Sequence, residues 1–546
     1  MYNELIATLF KKHSQDNMMK QVKIYDTTLR DGTQGEGVNY SKVDKIRIAE
    51  RLDEFGVAYI EGGWPGSNPK DMAFFEAAKS MTFKNAKLAA FGSTRRAQNK
   101  VEEDPNIRML LEAETPVCTI FGKSWLLHVT EVLRIQPEDN LEMIADSVAY
   151  LNSNGREVIY DAEHFFDGYK DSPDYATKTV VAAAEAGAAC IVLCDTNGGT
   201  LPSEVQEICT TIKNALPPGV ELGVHTHDDG GLGVANALAG VEVGATHVQG
   251  TINGIGERCG NGNLCAIIPN LELKMGYQCL PEGNLVHMTD ISKYVFDLAN
   301  MRYDNRQPFV GSSAFAHKGG MHVNAVQKVA HSYEHTRPES IGNKQRILVS
   351  DLSGGSNILM SAAEHNIDLD SKSPEVRKIL TELKRLENEG YEYEAAGASF
   401  KLLMRKHLSD FRPNFELEGF RVIIEKRGHN EEPISEATVK VKVDDHIEIS
   451  AAEGDGPVNA LDLALRKALS RFYTDIDKIR LTDYKVRILQ GETGTSAKTR
   501  VLIESTDGET FWGTVGVSEN IMEASWLALV DSMEHVIYHK INGADE

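Results

Sequence analysis

The stretch Glu221-Leu-Gly-Val-His225-Thr-His227-Asp-Asp229 ends a short apolar run with two histidines that stand two positions apart. On a β-strand, residues i and i+2 point to the same face, so both imidazoles can reach one point. Two converging imidazoles suit a divalent metal ion. The alternative is a polar loop with two unrelated histidines, and the choice depends on whether the chain supplies further ligands.

Eight short apolar runs alternate with segments of helical periodicity over roughly 260 residues, a pattern that predicts a (β/α)8 TIM barrel. The predicted strands are Val22–Tyr25, Tyr59–Gly62, Leu88–Phe91, Val117–Phe121, Glu157–Tyr160, Cys190–Cys194, Leu222–Val224 and His247–Gln249. A doubly wound sheet is the alternative. However, the glycine-rich loop after the first strand lacks the G-x-G-x-x-G spacing of a dinucleotide site.

The rest of the chain divides by its pattern into three further regions. Residues 1–20 form an N-terminal extension, 21–284 the barrel, 285–415 a helical connector and 416–546 an α+β domain. In that last domain, Leu463-Ala-Leu465 and Leu527-Ala-Leu529 repeat within two similar β-rich halves. This repetition predicts a duplicated module with one helix in each half, and two unrelated amphipathic helices are the alternative.

The charge balance, 57 Lys+Arg against 80 Asp+Glu for a net charge of −23, argues against binding to nucleic acid or to an anionic membrane. No apolar run approaches the roughly 18 residues of a membrane span, so we expect a soluble cytoplasmic enzyme. All seven cysteines fall between Cys118 and Cys279, which favours reduced thiols. We expect Cys190 and Cys194 to be core residues, with a zinc site as the weaker alternative.

Polar residues follow almost every predicted strand. In a barrel of this kind the carboxyl ends of the strands meet at one rim, where active sites lie. The candidates at this rim are Asp26, Arg30, Asp31, Glu61, Ser93, Arg95, Asp161, Glu163, Asp195, Thr196, Asn197, His225, His227, Glu257 and Asn261. Two imidazoles, several carboxylates and an Asn suit a divalent metal with positions left open for substrate oxygens.

Three motifs are recognisable in order: Leu29-Arg-Asp-Gly-Thr-Gln34, His225-Thr-His227 and Gly256-Glu-Arg-Cys-Gly-Asn261. They resemble the family of α-isopropylmalate, homocitrate and citramalate synthases, which is related to hydroxymethylglutaryl-CoA lyase. The resemblance extends over nearly the whole chain after residue 20. It implies a TIM barrel, a helical connector, a C-terminal regulatory module, and a condensation of acetyl-CoA with a 2-oxo acid.

The resemblance also implies roles for single residues. The metal, Mg²⁺ or Mn²⁺ with Zn²⁺ as another option, is then held by the four residues Asp31, His225, His227 and Asn261. Arg30 lies beside the reacting carbonyl and can stabilise oxyanion character. Thr196 hydrogen-bonds the substrate carboxylate, and we assign Gln34 to substrate binding.

The stretches that begin at Tyr25 and at Glu61-Gly-Gly-Trp-Pro are closer to the citramalate-forming branch, which uses pyruvate. We expect Tyr160, at the end of the fifth strand, to shorten the pocket against branched substrates. Isopropylmalate or homocitrate synthesis is the near alternative, and carbon–carbon cleavage by a metal-dependent lyase is the other class. A non-catalytic amino-acid sensor is a remote third, since it would not need a metal rim.

The condensation requires a general base, and the sequence offers Glu163 and His317 as candidates. His317 begins the segment His317-Lys-Gly-Gly, where isopropylmalate synthases have His-Gln-Asp-Gly. The catalytic tyrosine of that family has no clear counterpart here.

The C-terminal module contains no metal or nucleophile constellation of its own. Two small-residue loops, Glu453–Pro457 and Gly491–Thr495, suit a bound amino acid. We therefore predict feedback inhibition by isoleucine, with a homodimer formed by the duplicated halves. A purely structural dimerisation domain is the alternative.

Overall fold

The structure, a computed structural model, describes residues 20–318, 332–348, 373–408, 411–474, 476–489 and 497–538, together with single positions between them. It has two compact units, Met1–Phe315 with Thr336–Lys344, and Ala316–His335 with Gln345–Glu546. The region predicted as a connector is divided between them. Residues 1–19 and the predicted loop Gly491–Thr495 lie outside the described residues.

The first unit contains the predicted barrel, in which eight parallel strands pair in sequence order and close. The strands are β1 Lys23–Asp26, β2 Tyr59–Gly63, β3 Lys87–Ser93, β4 Val117–Lys123, β5 Glu157–Glu163, β6 Cys190–Asp195, β7 Glu221–Thr226 and β8 His247–Gly250. Closure comes from β1 and β8, which pair from Lys23 with His247 to Asp26 with Gly250. A closed barrel excludes the doubly wound sheet.

Helices surround the barrel, and most begin at a proline or at a capping residue. They span Lys42–Phe55, Pro69–Ala78, Pro105–Glu112, Pro137–Ser153, Phe165–Asp171, Pro173–Glu185, Pro202–Ala215, Gly233–Glu242, Leu264–Leu273 and Met288–Leu298. The first begins after Ser41, whose side chain accepts from the Asp44 amide while the Asp44 carboxylate accepts from the Ser41 amide. This capping box satisfies backbone donors that the first turn leaves open.

Two apolar layers stabilise the barrel. The larger lies between strands and helices, and contains one set of alternate strand residues such as Ile24, Ile60 and Tyr160. The other set fills the interior of the barrel, as expected for a fold whose strands alternate inward and outward side chains. The interior cluster is Tyr25, Tyr59, Ala89, Val117, Ile159, Cys190, Val192 and Cys194.

In the second unit, the predicted duplication is confirmed. Strands Glu416–Glu425, Ile434–Val443 and His446–Gly454 form an antiparallel sheet followed by a helix, Pro457–Leu469. Strands Arg480–Ile488, Thr499–Thr506 and Phe511–Ser518 repeat this order before the helix Ile521–Val536. Leu465 and Leu529, from the repeated motif, are both buried in one shared core. The equivalent helices therefore bury equivalent faces.

Along the chain, the barrel is followed by two very short paired strands, Ala316–His317 and Arg346–Ile347, and then by two helices, Pro374–Glu389 and Gly397–Lys406, before the duplicated module begins. Within the described residues, no helix is long and apolar enough to cross a membrane. The seven cysteines are free thiols, and Cys259 alone among them is exposed.

Candidate metal centre and substrate pocket

The two histidines converge as their spacing predicts. His225 and His227 lie at the end of β7, both buried, with their Nε2 atoms 3.3 Å apart. Because they stand two positions apart on a strand, both rings point into the barrel mouth. One face of β7 therefore presents two imidazole nitrogens to a common point.

Asp31 and Asn261 reach the same point from β1 and β8. The Asp31 carboxylate lies 3.1 Å from His225 Nε2, and the Asn261 amide nitrogen donates to it over 2.7 Å. Asn261 also forms a β-bridge with His227, so the backbone places it beside that histidine. The four side chains that the motifs predicted as ligands are thus brought together.

Glycines allow the loop before Asn261 to fold tightly. A Cβ on Gly256 would lie 1.8 Å from the Asn261 amide oxygen. Gly260 has a φ of +99°, and a Cβ there would lie 2.0 Å from the Gly254 carbonyl oxygen. Since any larger residue would collide at either position, both glycines are required for the placement of Asn261.

A hydrogen-bonded chain orients the first imidazole. His225 Nδ1 lies 2.7 Å from the Gln249 amide oxygen, and the Gln249 amide nitrogen donates to Asp161 over 2.9 Å. When Nδ1 carries the proton, Nε2 presents its lone pair to the mouth. Burial raises the pKa of Asp161 to about 7, against the opposing charge of His225.

The charges of this group favour a cation. Burial alone would raise the pKa of Asp31, but Arg30 and the hydrogen bond from His225 hold it well below its usual range. Burial lowers the pKa of His227 to about 3, and the neighbouring His225 adds to the decrease. Burial also disfavours a charged His225, but the hydrogen bond to Asp31 raises its pKa. The ionised Asp31 and the neutral His227 are in the state that binds a metal, and a bound cation would replace the proton that His225 shares with Asp31.

The residues fit a divalent ion. The ligand atoms of Asp31, His225 and His227 all lie within 4.8 Å of one another. The Asn261 amide oxygen is buried and has no hydrogen-bond partner, so it is available as a fourth ligand. Two nitrogens and two oxygens suit a borderline or hard divalent cation that leaves positions open.

Arg30 is held rigidly at the edge of this centre. Its Nε donates to the buried Glu61 carboxylate over 2.7 Å, and its guanidinium stacks on Phe91 at 3.8 Å from the ring centroid. Tyr25 also donates to Glu61, over 3.0 Å. A charge-assisted bond and an aromatic face together fix the direction of the guanidinium.

A pocket of about 190 Å³ opens above the centre. It gathers the predicted residues Arg30, Asp31, Gln34, Glu163, Thr196, His225 and His227. It is also lined by Asp161 and Glu257, which were rim candidates without an individual role, and by four residues that were not site candidates, Trp64, Phe91, Phe121 and Cys194. The Trp64 ring meets Phe91 and Phe121 edge-on at 5.7 and 5.6 Å. The sequence feature that could have identified Trp64 as a pocket residue is its position directly after the second strand.

Tyr160 is not part of the pocket. Asp161 and Glu163 face the mouth of the barrel. Tyr160 directly precedes Asp161, and because successive side chains on a strand point to opposite faces, Tyr160 points away from the mouth. Its ring is packed in the layer between strands and helices. The expectation that this ring shortens the pocket is therefore wrong, and the aromatic wall of Trp64, Phe91 and Phe121 takes its place.

The two candidate bases have different surroundings. Glu163 lines the pocket and forms an ion pair with Lys123. His317 belongs to the second unit, where its Nε2 lies 3.0 Å from the Glu334 carboxylate. Gln345 donates to the same Glu334 oxygen over 2.6 Å. The contact with Glu334 was not predictable, since no motif links the two residues.

Comparison with known protein families divides the chain into three matched regions. Residues 21–295 match the HMGL-like family, 309–391 match the "homocitrate synthase post-HMGL domain-like" family, and 394–537 match the LeuA allosteric (dimerisation) domain. The metal centre and pocket lie in the first of these.

Comparison with characterised proteins gives relatives over nearly the full length. An (R)-citramalate synthase of Geobacter sulfurreducens is 56% identical over 95% of this chain and 98% of its own. One from Aquifex aeolicus is 54% identical over 97% of this chain and 99% of its own. A 2-isopropylmalate synthase of a Geobacillus species is 29% identical over 95% and 97%.

Proposed function

The chain belongs to the HMGL-like family and, within it, to the (R)-citramalate synthases, and on this premise we propose that it condenses acetyl-CoA with pyruvate. Hydrolysis of the thioester then releases citramalate and CoA. The observation that carries the proposal is the pocket, in which four converging metal ligands lie beside Arg30 under an aromatic wall.

The metal belongs to the chemistry of this family, which depends on divalent cations. We propose that Asp31, His225, His227 and Asn261 hold it, and that Mg²⁺ or Mn²⁺ is the ion in use. When bound, such an ion polarises the keto group of the 2-oxo acid. Arg30 keeps Asp31 ionised, and Gln249 orients His225 through its Nδ1 atom.

Thr196 and Gln34 are proposed to bind the substrate carboxylate. The Thr196 hydroxyl oxygen accepts from the His164 backbone amide over 2.8 Å. A hydroxyl that already accepts still has its own proton to donate. Thr196 therefore suits an anionic partner in the pocket that both residues line.

Arg30 is proposed to stabilise the negative charge that develops on the reacting oxygens. Its guanidinium is preorganised by Glu61 and Phe91. A donor that is already in place need not reorient when negative charge develops in the transition state. Such preorganised donors commonly supply the largest part of catalytic stabilisation.

The aromatic wall supports pyruvate as the acceptor. Trp64, Phe91 and Phe121 pack ring against ring, with Phe91 and Phe121 stacked at 5.5 Å. Packed rings leave room for a methyl group and resist a branched side chain. Their one polar atom, the Trp64 indole nitrogen, already donates to Asn106 over 2.8 Å, so the rings offer no free donor to the second carboxylate of 2-oxoglutarate.

We propose His317 as the base that removes the methyl proton of acetyl-CoA. Glu334 holds its Nε2, which leaves Nδ1 as the basic atom. Glu163 is the second candidate, although its carboxylate is paired with Lys123. Kinetics of His317→Gln and Glu163→Gln separate them, because only loss of the base removes the acidic limb of the pH–rate profile, where the rate falls as the base is protonated.

A thiol-release assay tests the activity directly. With acetyl-CoA and a panel of 2-oxo acids, we expect the highest kcat/KM with pyruvate and no release after exhaustive chelation. A higher kcat/KM with 2-oxoisovalerate or 2-oxoglutarate would refute the assignment.

We propose that the duplicated module forms a homodimer and carries feedback inhibition by isoleucine. The sheet of its first half exposes apolar side chains on the face away from the helix, among them Ile434, Ile447 and Ile449, which are 42%, 53% and 60% exposed. A second copy of the chain is the partner that covers such a face in a dimerisation domain. Coupling to the active site would be worth about 1–3 kcal/mol.

Titration of the full-length enzyme with isoleucine, leucine and valine tests the regulation. We expect inhibition by isoleucine at millimolar concentration, and none in a chain truncated near residue 415. An enzyme indifferent to all three amino acids would show that the module is a dimerisation domain only.

A further inference from the structure

Three metal-binding side chains meet at the opposite end of the barrel. Cys190, Glu221 and His247 are the first residues of β6, β7 and β8, three neighbouring strands. Cys190 pairs in register with Glu221, so the strand starts lie side by side. One ligand atom from each residue lies within 4.8 Å of the other two.

His247 is the unusual member of this cluster. It is buried, with 1% of its surface exposed, and neither ring nitrogen has a hydrogen-bond partner in the described part of the chain. Buried polar atoms are nearly always paired, so an imidazole with both nitrogens unpaired requires an explanation. Burial and the nearby Lys23 ammonium lower its pKa to about 3. The ring is thus the neutral form that binds metals.

The barrel interior is built to hold this ring. The imidazole packs between Tyr25 and Tyr59, at 5.2 and 5.5 Å between ring centroids. Opposite it, β7 carries Gly223, where a Cβ would come within 3.0 Å of His247 Cδ2. A side chain at Gly223 would therefore displace the ring from its place beside Cys190 and Glu221.

The other two side chains supply a thiol and a carboxylate. Cys190 is buried, and burial raises the pKa of its thiol, while a bound cation favours the thiolate. One Glu221 oxygen accepts from Lys23 over 2.5 Å, and a carboxylate has a second oxygen to offer. The Lys23 side chain is 40% exposed, so it can turn toward solvent.

We propose that Cys190, Glu221 and His247 form a second metal site, for Zn²⁺ or a similar thiophilic divalent cation, at the N-terminal end of the barrel. Sulfur, nitrogen and one oxygen are ligands that Zn²⁺ prefers, whereas Mg²⁺ and Ca²⁺ bind oxygen. The site lies at the end of the barrel that serves stability rather than catalysis. A metal there ties three adjacent strands together, and it stabilises the folded state by mass action.

Cobalt substitution tests the site, because a cysteine ligand gives Co²⁺ an intense near-ultraviolet charge-transfer band. The full-length protein is depleted of metal, supplied with excess Mg²⁺, and titrated with Co²⁺. We expect one band per chain that Zn²⁺ abolishes by displacement. Cys190→Ser should lose the band and weaken Co²⁺ binding there by about 100-fold.

Cys194→Ser is the matched control, since Cys194 lies on the same strand and face but lines the catalytic pocket. It should keep the band. A wild type without a band overturns the proposal, as does a band that persists in Cys190→Ser. If Cys190→Ser does not fold, His247→Gln takes its place, and Zn²⁺ added over excess Mg²⁺ must then raise the Tm of the wild type more than that of His247→Gln, whose catalytic centre is intact; equal shifts overturn the proposal.

Discussion

The two ends of the barrel both place histidine beside carboxylate, but they treat it differently. At the C-terminal end, His225 has Gln249 on one nitrogen and Asp31 on the other. At the N-terminal end, His247 has neither kind of partner among the described residues. The same residue type thus carries opposite pKa directions, raised for His225 and lowered for His247. Both rings are buried, so the direction of each pKa shift depends on whether the ring has hydrogen-bond partners.

The charged groups at the two ends also differ in what they face. At the N-terminal end, Lys23 pairs with Glu221 and Lys87 with Glu157, so opposite charges neutralise one another. At the C-terminal end, Arg30 and Asp31 line an open pocket although they lie 3.3 Å apart. Arg30 and Asp31 share this pocket with His225 and His227, which is why the catalytic assignment belongs to this end.

Among variants that alter one end of the barrel, we expect the largest effect on activity from His227→Ala. Removing one of two imidazoles should abolish metal binding at the catalytic centre and lower kcat/KM by about 1000-fold or more, since Lewis-acid stabilisation is worth several kcal/mol. Metal content by mass spectrometry and the thiol-release rate should fall together.

The matched control is Glu157→Gln, a charge removed from the N-terminal end. Its carboxylate pairs with Lys87 and accepts from Tyr59 over 2.7 Å, far from any proposed role in turnover. We expect its kcat/KM to stay within about twofold. A His227→Ala protein with full activity and bound metal would place the catalytic centre elsewhere.

The next largest effect is that of Arg30→Lys. An ammonium cannot reproduce the guanidinium fork that contacts both Glu61 and Asp31, and loss of one preorganised donor costs on the order of 100- to 1000-fold in kcat. Metal affinity should change far less, as measured by titration. Arg51→Lys, in an exposed pair with Glu54, is the control. An Arg30→Lys enzyme within about threefold of wild type would reduce Arg30 to a packing residue.

The sequence was sufficient for the barrel through local rules, and for the convergence of the four proposed metal ligands through local rules together with the family resemblance. Strand periodicity fixes which ends share a rim, and two-residue spacing brings His225 and His227 together. The prediction failed at Tyr160, where a shift of one position turns the ring to the other face. It also missed the wall of Trp64, Phe91 and Phe121, since three different strands supply it and no spacing relates them.

The third prediction tests the N-terminal end through pH. The folded-state pKa of His247 is about 3, below the usual value near 6.5. Between pH 7 and pH 5 the unfolded chain gains a proton there that the folded chain does not. The free energy of unfolding should therefore decrease as the pH is lowered from 7 to 5, by about 2 kcal/mol from this residue.

Chemical denaturation at pH 7 and pH 5, with chelator present, measures the change in the free energy of unfolding for wild type and for His247→Gln. Asp26 and Asp161, whose pKa values burial raises to about 7, act in the opposite direction. They are common to both proteins and cancel in the difference. Equal pH slopes in the two proteins would show that His247 is protonated, or solvated, in the folded state.

The smallest effect concerns selectivity at the C-terminal end. Phe121→Ala removes one ring from the wall above the metal ligands, so the pocket should accept 2-oxobutyrate, which has one methylene more than pyruvate. A methylene in an apolar pocket is worth about 1–3 kcal/mol, so we expect the kcat/KM ratio of 2-oxobutyrate to pyruvate to rise about tenfold. Tyr160→Phe is the control, because that ring lies outside the barrel interior and should leave the ratio unchanged. If Tyr160→Phe shifts the ratio and Phe121→Ala does not, the pocket wall has been assigned to the wrong face of the strands.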